Sequence, residues 1–486
     1  MNLELFIPEL VVAGTAVAVI LLDLFIRQKG WLTGISLAGI IAAAGCAIAM
    51  WDGQPQTIFN GTLAVDNLAV FFKLLFLFIS AMVILSSIDY VNKMARFHGE
   101  YHALLLTATL GTMLMAATTD LISVFISLEL TALSFYALVG FLKDDKSTEA
   151  SLKYILLGGV TSAVLLYGMA LTFGFTGETQ LAAIASSIQA MSPAGVLSSP
   201  GLLLGLVLLI AGFGFKIAAV PFHMWAPDVY EGAPTPVTLY LSVGSKVAGF
   251  AVILRVFFTA FSLPEDLGID WGTVFAVLSA VGMTLGNVLA IQQANIKRML
   301  AYSGIAHSGY IMVGLATVGL SGVADTIGQS SLLFYVVAFA LADLATFIGV
   351  ITISNSINSD LIKDYTGMGK RAPLLAAALT LGLISLIGLP PAAGFMAKFY
   401  VFSGAAANGL LWLVIIAVLN STISAFYYLR VARLMWLGQP VEEGNLPSSM
   451  LPRLAMFIAC AGILLLGLAP SLLMKLAETA ARLLAG

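Results

Sequence analysis

Charge is what this chain has least of. Only 10% of its 486 residues are Asp, Glu, Lys or Arg, against 60% hydrophobic. A water-soluble protein carries about a quarter charged residues. This chain cannot cover itself with polar surface, so its solvent is a lipid bilayer. The net charge is −3 and no basic run occurs, which argues against a nucleic-acid partner. Cysteine is scarce as well. Cys46 and Cys460 lie far apart in apolar stretches and no CxxC occurs. That excludes an iron–sulfur cluster or zinc ribbon held by cysteines of this chain, and both read as small core residues. Four histidines, His98, His102, His223 and His307, are too scattered for haem or a metal. His98 and His102 have helical spacing but open a polar segment, a weak signal. No loop is long enough for a soluble domain. A secretory leader is not expected either. Glu4 and Glu9 precede the first apolar run and Arg27 and Lys29 follow it, the reverse of a signal peptide's charge order.

Apolar runs of spanning length are abundant. They are predicted at 4–26, 31–50, 67–88, 102–118, 121–142, 149–175, 201–230, 236–260, 271–291, 301–319, 329–353, 373–402, 407–437 and 452–471, fourteen in all. The 201–230 and 373–402 spans are long and interrupted by Pro or Gly. Segments 178–191 and 471–484 are predicted to be short amphipathic helices at an interface.

Lysine and arginine placement gives an orientation. With the N-terminus outside, the inner loops hold fourteen of the 22 cations: Arg27, Lys29, Lys93, Arg96, Lys143, Lys146, Lys297, Arg298, Lys363, Lys370, Arg371, Arg430, Arg433 and Arg453. The outer side holds Lys475 and Arg482. This bias predicts both termini outside and the basic loops in the cytoplasm.

Six cations remain within spans: Lys73, Lys153, Lys216, Lys246, Arg255 and Lys398. Glu129 and Asp343 are the acids nearest span centres. An ionised side chain at bilayer depth costs at least ~2.5–3.5 kcal/mol, so it needs a water-filled path or a partner. Lys73 and Arg255 are open to two readings, snorkelling or a structural pair. Lys153 is read one turn into its helix, where it can face headgroups. Glu129 stands about 12 Å into its helix and Lys246 about 14 Å into its own, at 1.5 Å per residue. Lys216 is at the middle of span 201–230. Low dielectric favours the neutral form of a lysine or a glutamate, and an opposite charge favours the ionised form. Groups held between these influences suit proton transfer.

Lys216 lies in "GFGFKIAAVPFHMW", residues 212–225. Pro221 lacks an N–H and clashes with the preceding turn, so the helix breaks just past Lys216. Freed carbonyls are tolerated in a membrane only where the site is buried or wet. The device recurs in "GLPPAAGFMAKFYVF", residues 388–402, with Pro390, Pro391 and Gly394 ahead of Lys398. These are predicted spans seven and twelve. An odd offset of five makes the two copies run in opposite directions, the signature of an inverted repeat.

These stretches, with "FISLELTALSFYALVGF" around Glu129, "EASLKYILLG" around Lys153, "SKVAGFAVILR" around Lys246 and "NIKRMLAYSGIAHSGY", resemble the antiporter-like membrane subunits of respiratory complex I over roughly residues 100–430. The run from Gly212 to Pro236 is the most specific. Within that family the chain is most similar to the N-type subunits. The M-type usually carries glutamate where Lys398 stands, and the L-type has a long C-terminal arm.

The resemblance implies an all-α membrane protein of about fourteen helices, with two inverted five-helix repeats, each holding a broken helix. It implies an N-terminal three-helix segment (1–100), a first half-channel (101–260), a second, inverted half-channel (261–437), and a C-terminal helix with an amphipathic tail (438–486). Glu129, Lys216, Lys246 and Lys398 would carry protons, with Lys153, His223 and His307 supporting. Asp343 departs from the family's pattern, where an uncharged residue is expected. A local pair with a hydroxyl or a histidine is as good an account of it as a place in the channel. The implied activity is that of a proton-translocating subunit of NADH:quinone oxidoreductase. No cofactor is expected in this chain. NAD, FMN, iron–sulfur clusters and quinone would be bound by partner subunits, and other antiporter-like and small membrane subunits would flank it. The alternative is a membrane subunit of a multisubunit sodium/proton antiporter. A stand-alone carrier of an organic solute fits less well, because the charges are spread along two halves without one central pocket.

Overall fold

The structure, a computed structural model, describes residues 3–51, 53–91, 97–191, 199–261, 271–321, 326–440, 444, 446 and 449–482. Lys93 and Arg96 lie outside the described residues. After a short 3₁₀ turn, the helices in chain order are α1 (Ile7–Asp23), α2 (Gly30–Ile48), α3 (Asn67–Val91), α4 (His98–Ala117), α5 (Leu121–Val139), α6 (Asp145–Thr176) and α7 (Leu181–Ala190). There follow α8 (Pro200–Lys216), α9 (Trp225–Gly232), α10 (Thr235–Tyr240), α11 (Lys246–Thr259), α12 (Trp271–Ile291), α13 (Ile296–Ser321) and α14 (Thr326–Ile357). The series closes with α15 (Met368–Arg371), α16 (Pro373–Ile387), α17 (Ala393–Ala407), α18 (Leu411–Leu437), α19 (Met450–Leu468) and α20 (Ser471–Ala481). A π-helical turn, Leu241–Ser245, joins α10 to α11, so 235–259 is one continuous rod.

Ten of these helical rods, among the described residues, are long and apolar enough to cross a membrane. The other four expected spans differ for physical reasons. Helices α4 and α13 have the length but are diluted by polar residues such as Glu100, Thr109, Lys297 and Arg298. Spans 201–230 and 373–402 are each two half-helices, α8 with α9 and α16 with α17. The amphipathic segments expected at 178–191 and 471–484 appear as α7 and α20.

Local chemistry fixes the ends. Asp120 caps α5 by accepting from the Ile122 N–H at 2.8 Å, and Asp144 caps α6 through the Ser147 N–H at 2.7 Å. Pro200 and Pro373 begin α8 and α16, where a missing N–H does no harm. Gly177 ends α6 with φ +73°. Helices α12 and α13 pack closely because Gly286 has no side chain: a Cβ there would lie 2.6 Å from the Ala306 nitrogen.

One end of the bundle is closed by a small antiparallel hairpin that the sequence did not suggest. Strand β1 (Gln56–Ile58) pairs with β2 (Leu63–Val65), Thr57 opposite Ala64, and Leu63 bridges to Thr118. At the other end Asn295 bridges to Leu361, and Arg430 donates to the carbonyls of Ile291 and Gln293 at 2.9 and 2.7 Å.

The core follows the helices that hold the ionisable groups. In the 235–259 rod, which carries Lys246, the whole spanning window is buried; in α14, which carries Asp343, nearly all of it is. Helices α1, α2, α6 and α18 leave most of their apolar surface outward, as a lipid-facing shell does.

Candidate functional site: a buried line of ionisable groups

Helix α8 ends at Lys216, and α9 resumes at Trp225. Lys216 therefore closes the last turn of a half-helix, where the macrodipole is negative and favours a cation. The intervening backbone is satisfied. The Trp225 indole N–H donates to the Phe215 carbonyl at 2.9 Å, and the Ser308 hydroxyl donates to the Ile217 carbonyl at 2.6 Å. These partners let a helix break persist at this depth.

The second break uses the same electrostatics with different chain geometry. Lys398 lies inside α17, past the break, and its ammonium reaches back to the end of α16. It donates to the carbonyls of Leu386 and Ile387 at 3.1 and 2.7 Å and to the Ser421 hydroxyl at 2.8 Å. It also sits 4.5 Å above the Tyr310 ring. The two lysines thus share the negative end of a half-helix, one before its break and one after.

Glu129, half-buried on α5, accepts a short hydrogen bond from the Ser162 hydroxyl of α6. Glu129 and Lys216 line one cavity of about 30 Å³ with Tyr136, Tyr154, Gly158 and Phe215. That is room for water between them. The two charges face each other across it without closing an ion pair within 4 Å, among the described residues. Lys153 is elsewhere. It is half-exposed and held by Glu149 at 2.8 Å and Asp228 at 2.9 Å. Asp228 also binds Arg298 at 2.5 Å, and Arg298 reaches Glu231 at 3.1 Å. Lys153 therefore belongs to a rim network of acids, not to a headgroup-facing surface.

Lys246 lies at the centre of the chain's buried axis. Its ammonium has no hydrogen-bond partner among the described residues, stands 5.6 Å from the Tyr230 ring centroid, and rests directly on Gly304, where a Cβ would come within 2.1 Å of it. Asp343 of α14 is the opposite charge that acts on it. The Asp343 carboxylate accepts a short hydrogen bond from Ser242 in the π-helical turn. His307 of α13 continues the line. Its Nδ1 pairs with the Tyr335 hydroxyl at 3.1 Å, its ring stacks on Phe339, and both Lys246 and Lys398 are within its electrostatic reach. His223 is half-buried in the first break, and its Nδ1 has no hydrogen-bond partner among the described residues.

Sequence reasoning missed the neutral groups. Beyond Lys398 and Tyr310, Asn287 donates to the Tyr310 hydroxyl at 3.1 Å and accepts from the Tyr427 hydroxyl at 3.0 Å. Lys73 and Arg255 do not snorkel. Lys73 pairs with Glu9 at 2.6 Å, both side chains 1% exposed. Arg255 grips Asp66 with two bonds of 2.6 and 2.5 Å and donates to the Ala116 carbonyl. Each cation has its own acid, remote in sequence.

Residues 118–424 match the family described as NADH:quinone oxidoreductase/Mrp antiporter, TM. NADH-quinone oxidoreductase subunit N of Dehalococcoides mccartyi is 52% identical, over 99% of this chain and all of that one. The chain belongs to the N-subunit family of NADH-quinone oxidoreductases. Among solved structures, a chain of respiratory complex I from Thermus thermophilus is 32% identical with a TM-score of 0.80, over 97% of this chain and 99% of that one. A chain of the Mrp complex from Dietzia superposes with a TM-score of 0.86 at 21% identity, covering 100% of this chain and 98% of that one, a likeness of fold alone. The all-α membrane fold that the resemblance implied is that of the N-subunit family.

Proposed function

We propose that this chain carries protons across the membrane as an antiporter-like subunit of a redox-driven NADH:quinone oxidoreductase. The observation that carries this is the buried succession Glu129, Lys216, Lys246, His307 and Lys398, supplied by α5, α8, α11, α13 and α17. Each group sits where a charge is tolerated only with a partner or a path, and the break in each split helix lies beside a lysine. Lys153 and His223 support the line from its rim.

In this reading residues 101–260 and 261–437 form two half-channels of opposite direction, flanked by 1–100 and 438–486. Both termini face the periplasm. The bias of cations toward one set of loops supports that orientation, as does their gathering with acids at one end of the bundle: Lys297 with Asp360, Arg298 with Asp228 and Glu231. Redox chemistry takes place in partner subunits, which hold NAD, FMN, iron–sulfur clusters and quinone. This chain supplies no cysteine ligands for a cluster.

The first half-channel works as a switch. When Glu129 closes on Lys216 the ammonium keeps its proton, because opposite charge favours the charged form. When Glu129 returns to Ser162, the proton is released toward Lys246. The test uses the assembled complex in vesicles. Lys246→Ala should abolish most NADH-driven acidification. Parental acidification in an assembled Lys246→Ala complex would refute a proton path through this chain.

A further inference from the structure

Two carboxylates in this chain are held in the same way. Glu129 accepts from a serine hydroxyl on a neighbouring helix and faces Lys216 without touching it. Asp343 accepts from Ser242, and a methyl group on Gly304 would meet both the Lys246 Nζ at 2.1 Å and the Ser242 Oγ at 3.8 Å, so carboxylate and ammonium share one chamber without an ion pair, among the described residues. Both Asp343 and Lys246 are buried, 2% and 1% exposed. A buried ammonium with no hydrogen-bond partner is an unstable arrangement unless a counter-charge can reach it. Among the described residues the anion that acts on Lys246 is Asp343, and the Ser242 hydroxyl holds that carboxylate.

The hydroxyl's position explains how the hold could be released. Ser242 belongs to the π-helical turn Leu241–Ser245, directly ahead of Lys246 on the same rod. π-Turns inside α-helices are frequent at functional sites. A small change of winding there moves Ser242 and Lys246 relative to α14 together. Tyr230 and Tyr428 lie within electrostatic reach of the same carboxylate.

We propose that Asp343 is a second switching carboxylate, alternating between the Ser242 hydroxyl and the Lys246 ammonium and so timing proton release from the centre of the channel. This rests on the proton-path function above. Asp343 remains a carboxylate throughout. When it pairs with Lys246 the ammonium holds its proton. When it returns to Ser242 the ammonium N–H bond breaks and the proton passes toward His307. Asp343 acts through Lys246, so it is a positioning residue.

The test measures NADH-driven proton pumping in vesicles, normalised to assembled complex, for Asp343→Asn, Asp343→Glu, Ser242→Ala, Ser242→Thr, Lys246→Ala and the Asp343→Asn/Lys246→Ala double variant. Asp343→Asn should lower pumping about tenfold, less than the 10²–10⁴ of a group that itself transfers the proton. Asp343→Glu should restore most of it, because charge is what matters. The double variant should be no worse than Lys246→Ala alone, as for groups acting as one unit. If Asp343→Asn fails to assemble, the serine pair decides: Ser242→Ala should slow pumping several-fold and Ser242→Thr should restore it. Parental pumping in Asp343→Asn, or in Ser242→Ala, overturns the switch. Parental pumping in Lys246→Ala instead overturns the proton path itself, which keeps the two failures distinct.

Discussion

Lys398 reaches back across a helix break to the carbonyl of Ile387, 2.7 Å away. A single side chain thereby neutralises the end of one half-helix while belonging to the next. Movement of α17 against α16 therefore withdraws an ammonium from its acceptors, and geometry is coupled to charge at that point. Lys398→Ala should leave the Leu386 and Ile387 carbonyls without that donor, and a bond to a charged group is worth about 1.5–3 kcal/mol. The expected result is a complex that assembles in lower yield and loses most of its proton pumping. Pumping per assembled complex is the measurement. Undiminished pumping would remove Lys398 from the path.

Glu129 and Lys216 share one small cavity, so they should act as one unit. Lys216→Ala and Glu129→Gln should each cut pumping, and the double variant should be little worse than the worse single one. Vesicle acidification by the assembled complex measures this. Independent, multiplicative losses would assign the two residues to separate paths.

The Arg255–Asp66 pair is buried and bidentate, so removing one partner strands the other. Arg255→Ala should destabilise the complex by about 3–5 kcal/mol, whereas replacing both partners with apolar residues should recover much of it. Thermal inactivation of the purified complex compares Arg255→Ala with Asp66→Leu/Arg255→Met. Equal losses in both would contradict a pair held by desolvated charge.

The orientation can be read from outside. Ser359 lies in the segment 354–372 that is expected to face the cytoplasm. A Ser359→Cys variant, in a background with Cys46 and Cys460 replaced by serine, should resist a membrane-impermeant thiol reagent applied to intact cells and react once the membrane is opened. Labelling of intact cells would invert the topology.

If electron transfer is confined to partner subunits, the purified chain should show no visible absorbance from flavin, haem or iron–sulfur centres. A stoichiometric chromophore would end that assignment.

Glu129, Lys216, Lys246 and Lys398 were legible in the sequence because an ionised group inside an apolar run contradicts its surroundings. Pro221 and the Pro390–Pro391 pair marked both breaks for an equally direct reason: proline cannot continue a helix. The partners were not legible. Glu9 and Lys73 lie in different spans, and Asp66 and Arg255 are 189 residues apart; only the packing of α1 on its neighbours and of α4 on α11 brings them together. Ser162, Ser242, Tyr310 and Asn287 gave no signal, since a hydroxyl or an amide bonded within a helix bundle is ordinary. Asp343 was visible as a charge, with a hydroxyl partner as one account of it, but Ser242 could not be named because it lies 101 residues away on the π-helical turn. The hairpin at 56–65 is too short to leave a pattern of alternation.

Gly304 bears on a different kind of damage. It is neither ionisable nor polar, yet the Lys246 ammonium occupies the space a methyl group would need there. A change as slight as Gly304→Ala would work as a wedge, displacing the central cation while every charged residue remained in place. If protons pass through Lys246, a defect in coupling could arise here, at a position that no inventory of acids and bases would bring under suspicion.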